Sequence, residues 1–96
     1  MSLENHIVKE IRYQLNRHLA THADAMTCQC SQCKEDVVAL AANHLPPRYA
    51  TSPRGRILVA LELQNKQLQL DILKGLLKAI DQVNRRPQHD PNRIIV

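Results

Sequence analysis

Three cysteines, Cys28, Cys30 and Cys33, lie within six residues, and the rest of the 96-residue chain contains no other cysteine. Thiols this close together can chelate a metal ion, and a tetrahedral zinc needs four ligands. The C-x-C-x-x-C spacing therefore predicts a loop folded around zinc. A redox dithiol and merely buried thiols are the alternatives, and the redox alternative lacks the βαβ pattern that accompanies thioredoxin-like motifs.

The composition predicts one small domain, residues 1–96, with an aliphatic core. The chain has no Trp or Phe and only two tyrosines. A core of this size is often marginal, and such chains gain stability from a metal or from a partner subunit. No apolar run approaches the roughly 20 residues that cross a bilayer, and the polar amino terminus lacks a secretory pattern. We therefore expect a cytoplasmic protein with no membrane contact, in a compartment where thiols stay reduced.

Apolar residues recur with helical spacing along most of the chain, so the sequence predicts an all-α fold. A first helix is expected over residues 3–22, and a second begins just after Cys33 and stops at Pro46-Pro47. Residues 47–56 are expected to form a loop, and 57–83 to be helical with a polar break at 64–67. A tail follows from about residue 88. An apolar seam between Leu70 and Val83 predicts a homodimer.

The fourth metal ligand stays open on residue chemistry alone. His44 lies eleven residues beyond Cys33, about 16 Å along a straight helix, and is too far away. His22, His89 and Asp90 remain candidates. The sequence has neither the H-E-x-x-H motif nor the H-x-E with P-C-x-x-C signature of zinc enzymes. The expected metal is structural, and no catalytic residue is predicted.

The sequence resembles the late competence protein ComFB family over roughly residues 5–90. The resemblance is carried by the cysteine cluster, by the run DVVALAANHLPPRYATS at 36–52, and by Gly55, Asp71-Ile72, Ala79-Ile80, Val83 and Pro87. It implies an all-α homodimer with a structural zinc whose fourth ligand follows the last helix. The cysteine of the four-cysteine relatives is missing there, so the role passes to His89. Some relatives are receptors for the second messenger cyclic di-GMP.

An arginine-rich segment makes a nucleotide ligand chemically reasonable. Arg48, Arg54 and Arg56 can fork onto phosphate or guanine, and Tyr49 can stack on a base. Solvated surface charge is the alternative reading. The formal net charge of +4 is weak for wrapping DNA. Taken together with the family resemblance, which implies the cyclic di-GMP ligand, this segment predicts a non-enzymatic regulatory module that binds cyclic di-GMP. The alternative is a dimeric adaptor, linked to competence, that recruits a protein client through its dimer surface and apolar end, Ile94-Ile95-Val96.

Overall fold

The computed structural model describes residues 3–86 and contains four helices and no strand within that range. The helices are α1 (His6–Thr21), α2 (Ser31–Ala42), α3 (Pro53–Leu63) and α4 (Lys66–Arg85). The predicted all-α class is confirmed. None of these helices is both long and apolar enough to span a membrane.

The core lies where α2 packs between α1 and α4. It is aliphatic, as the composition predicts, and its largest fully buried side chains come from these three helices: Ile7, Ile11, Leu15, Cys33, Val37, Ile72 and Leu76. The four-residue repeat of α1 supplies one wall, and α2 is the buried central element. Both ends of α2 are thereby fixed, including the end that carries Cys33.

The second helix begins earlier than the sequence predicts. Cys30 is its N-cap, with Sγ accepting a hydrogen bond from the Cys33 N–H at 3.4 Å. Cysteine is not among the usual capping residues, so sequence patterns do not mark this start. As a result Cys33 lies in the first turn of α2 and not before it.

The third helix also begins inside a predicted loop. Ser52 caps α3, and Pro53 takes the first helical position, where its missing N–H costs nothing. The side chain of Ser52 accepts the Gly55 N–H at 3.0 Å. A Cβ on Gly55 would lie 3.2 Å from that hydroxyl oxygen, so glycine allows the cap to close. The loop prediction is therefore wrong for residues 53–56, because Pro53 starts a helix.

The predicted break between the last two helices is confirmed. Asn65 caps α4, and its Oδ1 accepts the N–H groups of Gln67 and Leu68 at 2.9 and 3.2 Å. The buried side chains of α4 pack into the core of this chain, so this part of the predicted apolar seam between Leu70 and Val83 is already covered within a single copy. Ile72 and Ala79 belong to it, whereas Leu73 lies at the rim with 36% of its surface exposed.

Two helices carry apolar side chains that the described fold leaves uncovered. No residue of α3 is buried. We call the following set the α3–α4 apolar residues: Ile57, Leu58, Leu61, Leu70, Leu73 and Leu77. Where exposed apolar side chains of this kind form a contiguous patch, they are typical of surfaces that associate with another molecule.

Candidate metal centre and neighbouring surfaces

The three cysteines converge at the start of α2. Their sulfur atoms all lie within 4.8 Å of one another, and no other group of three such side chains is close enough to share an ion within residues 3–86. Zn–S bonds of about 2.3 Å in a tetrahedron require sulfurs about 3.8 Å apart. The cluster therefore fits a zinc ion after small side-chain movements, with one position left for a fourth ligand.

The three thiols have different environments. Cys33 is buried, Cys28 is half-buried, and Cys30 is exposed. Burial, reinforced by the neighbouring sulfurs, raises the pKa of Cys33 to about 12. The N–H of Cys33 lowers the pKa of Cys30 by donating to its sulfur, and Cys28 acts in the same direction. Metal binding must therefore displace a firmly held proton from Cys33, which makes the affinity depend on pH.

Asn84, near the end of α4, ties the loop that precedes the cysteines to the helix bundle. Its Nδ2 donates to the Ala25 carbonyl at 2.8 Å, and its Oδ1 accepts the Thr27 N–H at 3.1 Å. Met26, between these two residues, is buried. No sequence pattern distinguishes Asn84 from the polar residues beside it, so its role was not predicted. The contact places the end of α4 beside the residue that precedes Cys28.

The candidates for the fourth ligand have different positions. His22 is not part of the group of ligand atoms around the thiols. Its ring stacks on His18 with centroids 4.5 Å apart, and its Nδ1 lies 2.9 Å from the hydroxyl of Thr21. His89 and Asp90 lie outside the described residues, so the assignment of His89 stays a prediction.

The side chain of Arg48 is engaged by the protein itself. Its Nε donates to Glu62 on α3, and its Nη1 donates to the carbonyls of Pro46 and Pro47 at 3.0 and 3.3 Å. Its backbone N–H donates to Asn5 Oδ1 at 2.8 Å. Arg48 thus joins the loop to the start of α1 and to the last turn of α3, and a ligand would have to compete with Glu62 for its guanidinium.

The other three residues predicted to bind a ligand are exposed. Tyr49 has 51% of its surface exposed, and Arg54 and Arg56 lie in the first two turns of α3. Arg56 lines a cleft of about 510 Å³ together with His6 and Thr51. Arg48 lines a different cleft. Within residues 3–86, the structure therefore places Arg48 and Arg56 at different clefts.

Comparison with known proteins agrees with the fold. The chain belongs to the ComFB family, because the model for the late competence development protein ComFB matches residues 2–87. A similar solved structure is that of the late competence protein ComFB from Bacillus subtilis. It shares 27% identity and a TM-score of 0.74, over 92% of this chain and 97% of that one. No curated protein matches the chain significantly. The predicted family resemblance is confirmed.

Proposed function

We propose that the chain is a non-enzymatic regulatory module, a homodimer in which Cys28, Cys30, Cys33 and His89 hold a structural zinc. We further propose cyclic di-GMP as its regulatory ligand. The observation that carries the metal part is the convergence of three thiols within 4.8 Å at the start of α2. Four protein ligands leave zinc no open position, which is the arrangement of structural sites and not of catalytic ones.

The position of Asn84 supports His89 as the fourth ligand. Asn84 contacts Thr27, the residue before Cys28, and His89 follows Asn84 by five residues. Because α4 ends at Arg85, the four residues that follow it reach about 14 Å when extended, which is compatible with a return to the thiols. Zinc accepts imidazole nitrogen readily beside thiolates. The competing His22 is already stacked on His18.

The α3–α4 apolar residues support a homodimer. Leu58 and Leu61 are 58% and 62% exposed. In a chain without Trp or Phe, large aliphatic side chains are the main source of buried apolar surface, so leaving these two uncovered is costly. Burying one such side chain fully contributes about 1.5–3 kcal/mol, so a second copy that covers these residues would stabilise a small domain considerably. A closed two-fold dimer would also present each ligand-binding residue twice, which matches a cyclic dinucleotide.

The start of α3 supports an anionic ligand. Arg54 and Arg56 are exposed there and form no salt bridge within the described part of the chain. The amino-terminal end of a helix attracts negative charge. Tyr49 is available for base stacking. We assign direct contacts to these three residues, while Arg48 would hold the loop through Glu62 and reach the ligand only after that ion pair opens.

Isothermal titration with cyclic di-GMP tests the ligand proposal. The zinc-loaded protein is expected to bind, and the double substitution Arg54→Ala/Arg56→Ala is expected to weaken binding at least tenfold. Arg85→Ala is the matched control, because Arg85 is an exposed arginine on α4 that pairs with Asp81 at 3.2 Å. Absence of heat for the parent protein at micromolar concentration would remove the ligand from the proposal.

The second candidate is a protein-interaction adaptor, favoured by the same uncovered apolar residues on α3 and α4. Its client would bind the dimer surface and the apolar end of the chain, Ile94-Ile95-Val96. Capture of a client from a lysate should then persist in the Arg48→Ala and Arg54→Ala variants, and it should be lost when residues 94–96 are deleted. The opposite pattern would favour the nucleotide ligand.

A further inference from the structure

Cys30 and Cys33 place an exposed thiol beside a buried one at the start of α2. Cys30 is the N-cap and is exposed, whereas Cys33 lies in the first turn and is buried. Their sulfur atoms lie within 4.8 Å of each other. Oxidants attack accessible thiols, and a second thiol within reach then converts the product to a disulfide. The pair therefore has the arrangement of a site of oxidation.

The start of the helix also orients the two side chains toward each other. The Sγ of Cys30 folds back over the first turn and accepts the Cys33 N–H at 3.4 Å. A disulfide requires sulfurs about 2.05 Å apart. Because the capping residue lies outside the regular helix, side-chain rotation and a small movement of Cys30 are sufficient to close the bond. Neither requirement involves the βαβ fold of a redox enzyme.

Cys28, the third thiol of the cluster, is held by a different part of the structure. It is half-buried and precedes the helix. The N–H of the residue before it, Thr27, donates to Asn84 Oδ1 on α4 at 3.1 Å. Cys28 thus belongs to a loop that α4 positions, whereas Cys30 and Cys33 share one helix start. We expect Cys28 to keep its thiol when the other two form a bond.

We propose that Cys30 and Cys33 are a modification site for peroxide, at which oxidation closes a disulfide within the chain. The Cys30 thiolate attacks hydrogen peroxide, so that an S–O bond forms, the O–O bond breaks and hydroxide leaves. The sulfur of Cys33 then attacks the sulfenic acid of Cys30, and the hydroxyl group departs with a proton as water. In total, two thiols are oxidised to one disulfide and one peroxide is reduced to two waters.

The modification should exclude metal from the cluster. Thiolates bind metal ions, and the disulfide would consume two of the three that converge there. Oxidation and metal binding would therefore compete for the same sulfur atoms. This consequence rests on the proposed zinc site, whereas formation of the disulfide does not.

The test treats the full, reduced, metal-free chain with hydrogen peroxide, alkylates the remaining thiols and maps them by mass spectrometry. A single tryptic peptide, residues 18–34, contains all three cysteines, so fragmentation of this peptide locates the alkylated one. We expect the loss of two hydrogen atoms and a single label, on Cys28. A label on Cys30 or Cys33 after oxidation, or a disulfide between two chains, would overturn the proposal.

Two variants serve as matched controls. Cys28→Ser retains the reactive pair, so peroxide should remove two hydrogen atoms and leave no thiol to label. Cys30→Ser removes the exposed thiol, and both remaining cysteines should then take the label after the same treatment. A disulfide that persists in Cys30→Ser, or one that is lost in Cys28→Ser, would contradict the assignment of the pair.

Zinc uptake by the reduced and the oxidised parent protein distinguishes this inference from the proposed function. The oxidised protein should lose zinc uptake, and dithiothreitol should restore it. If the reduced protein takes up no zinc, the proposed metal site fails, while the mapped disulfide still decides the modification site. If the oxidised protein binds zinc as tightly as the reduced protein, the competition between oxidation and metal is refuted.

Discussion

Replacing Cys30 by serine should change stability in opposite directions with and without zinc. Cys30 caps α2 through a sulfur that accepts the Cys33 N–H at 3.4 Å. Serine is one of the preferred N-caps, and such caps contribute about 0.5–2 kcal/mol. In the metal-free protein Cys30→Ser should therefore be neutral or stabilising, by up to about 1 kcal/mol. If the thiol stabilised the fold without binding metal, Cys30→Ser should instead destabilise the metal-free protein.

With zinc bound, the parent protein should become more stable than Cys30→Ser. At free zinc about 100-fold above its Kd, the parent protein gains about 2.7 kcal/mol, which corresponds to about 10–20 °C in Tm for a chain of this size. A variant whose Kd is about 100-fold higher gains only about 0.4 kcal/mol under the same conditions. Thermal denaturation of both proteins, with a chelator and with buffered zinc, measures the crossing directly.

Cys28→Ser is the matched control for this experiment. Cys28 contributes a thiol to the same cluster but is not the N-cap of α2. It should lose the zinc-dependent gain in Tm without any stabilisation of the metal-free state. The reasoning is refuted if Cys30→Ser lowers Tm equally with and without zinc, or if zinc leaves the Tm of the parent protein unchanged.

Three further predictions concern the loop tether, the dimer and the titration of the buried thiol. Asn84→Ala removes the hydrogen bonds to Ala25 and Thr27 and should lower the free energy of unfolding by about 1–2 kcal/mol; an equal loss in Gln82→Ala, on the exposed face of α4, would contradict it. Leu58→Asp should convert the proposed dimer to a monomer in light scattering, whereas Tyr13→Asp, at a comparably exposed site on α1, should not; a dimeric Leu58→Asp protein would remove α3 from the proposed interface. Because burial raises the pKa of Cys33 from 9.0 to about 12, the folded metal-free state holds that proton more tightly than the unfolded state, and this contribution to stability should be lost as pH rises from 9 through 12. Denaturant titrations should show a shallower loss for Cys33→Ala, and equal slopes would refute the assignment.

Local patterns predicted what local chemistry determines. The four-residue repeat from Ile7 to Leu19 and the polar break before Lys66 gave correct helices, because each depends on residues close in sequence. The starts of α2 and α3 were missed for specific reasons. Cys30 is an unusual cap, and Pro53 is compatible both with a loop and with a first helical turn.

The candidate site also has one part that the sequence predicted and another that it did not. The thiol cluster was predictable because six residues contain all three sulfurs. The Asn84 contact with Thr27 joins residues 57 positions apart, and the Arg48 contact with Glu62 joins a loop to the last turn of α3, 14 positions away. Such pairs depend on how the helices pack, and no periodicity in the sequence encodes them. For this reason Arg48 looked like a free ligand-binding residue although the fold occupies its guanidinium.

The central claim is most directly tested by native mass spectrometry of the zinc-loaded protein, with and without cyclic di-GMP. We predict a dimer that carries one zinc ion per chain and gains the mass of the nucleotide when it is added. A zinc-loaded dimer without that mass shift would favour the adaptor function. A monomer that takes up no zinc after metal is supplied in excess would contradict both the proposed metal site and the proposed dimer.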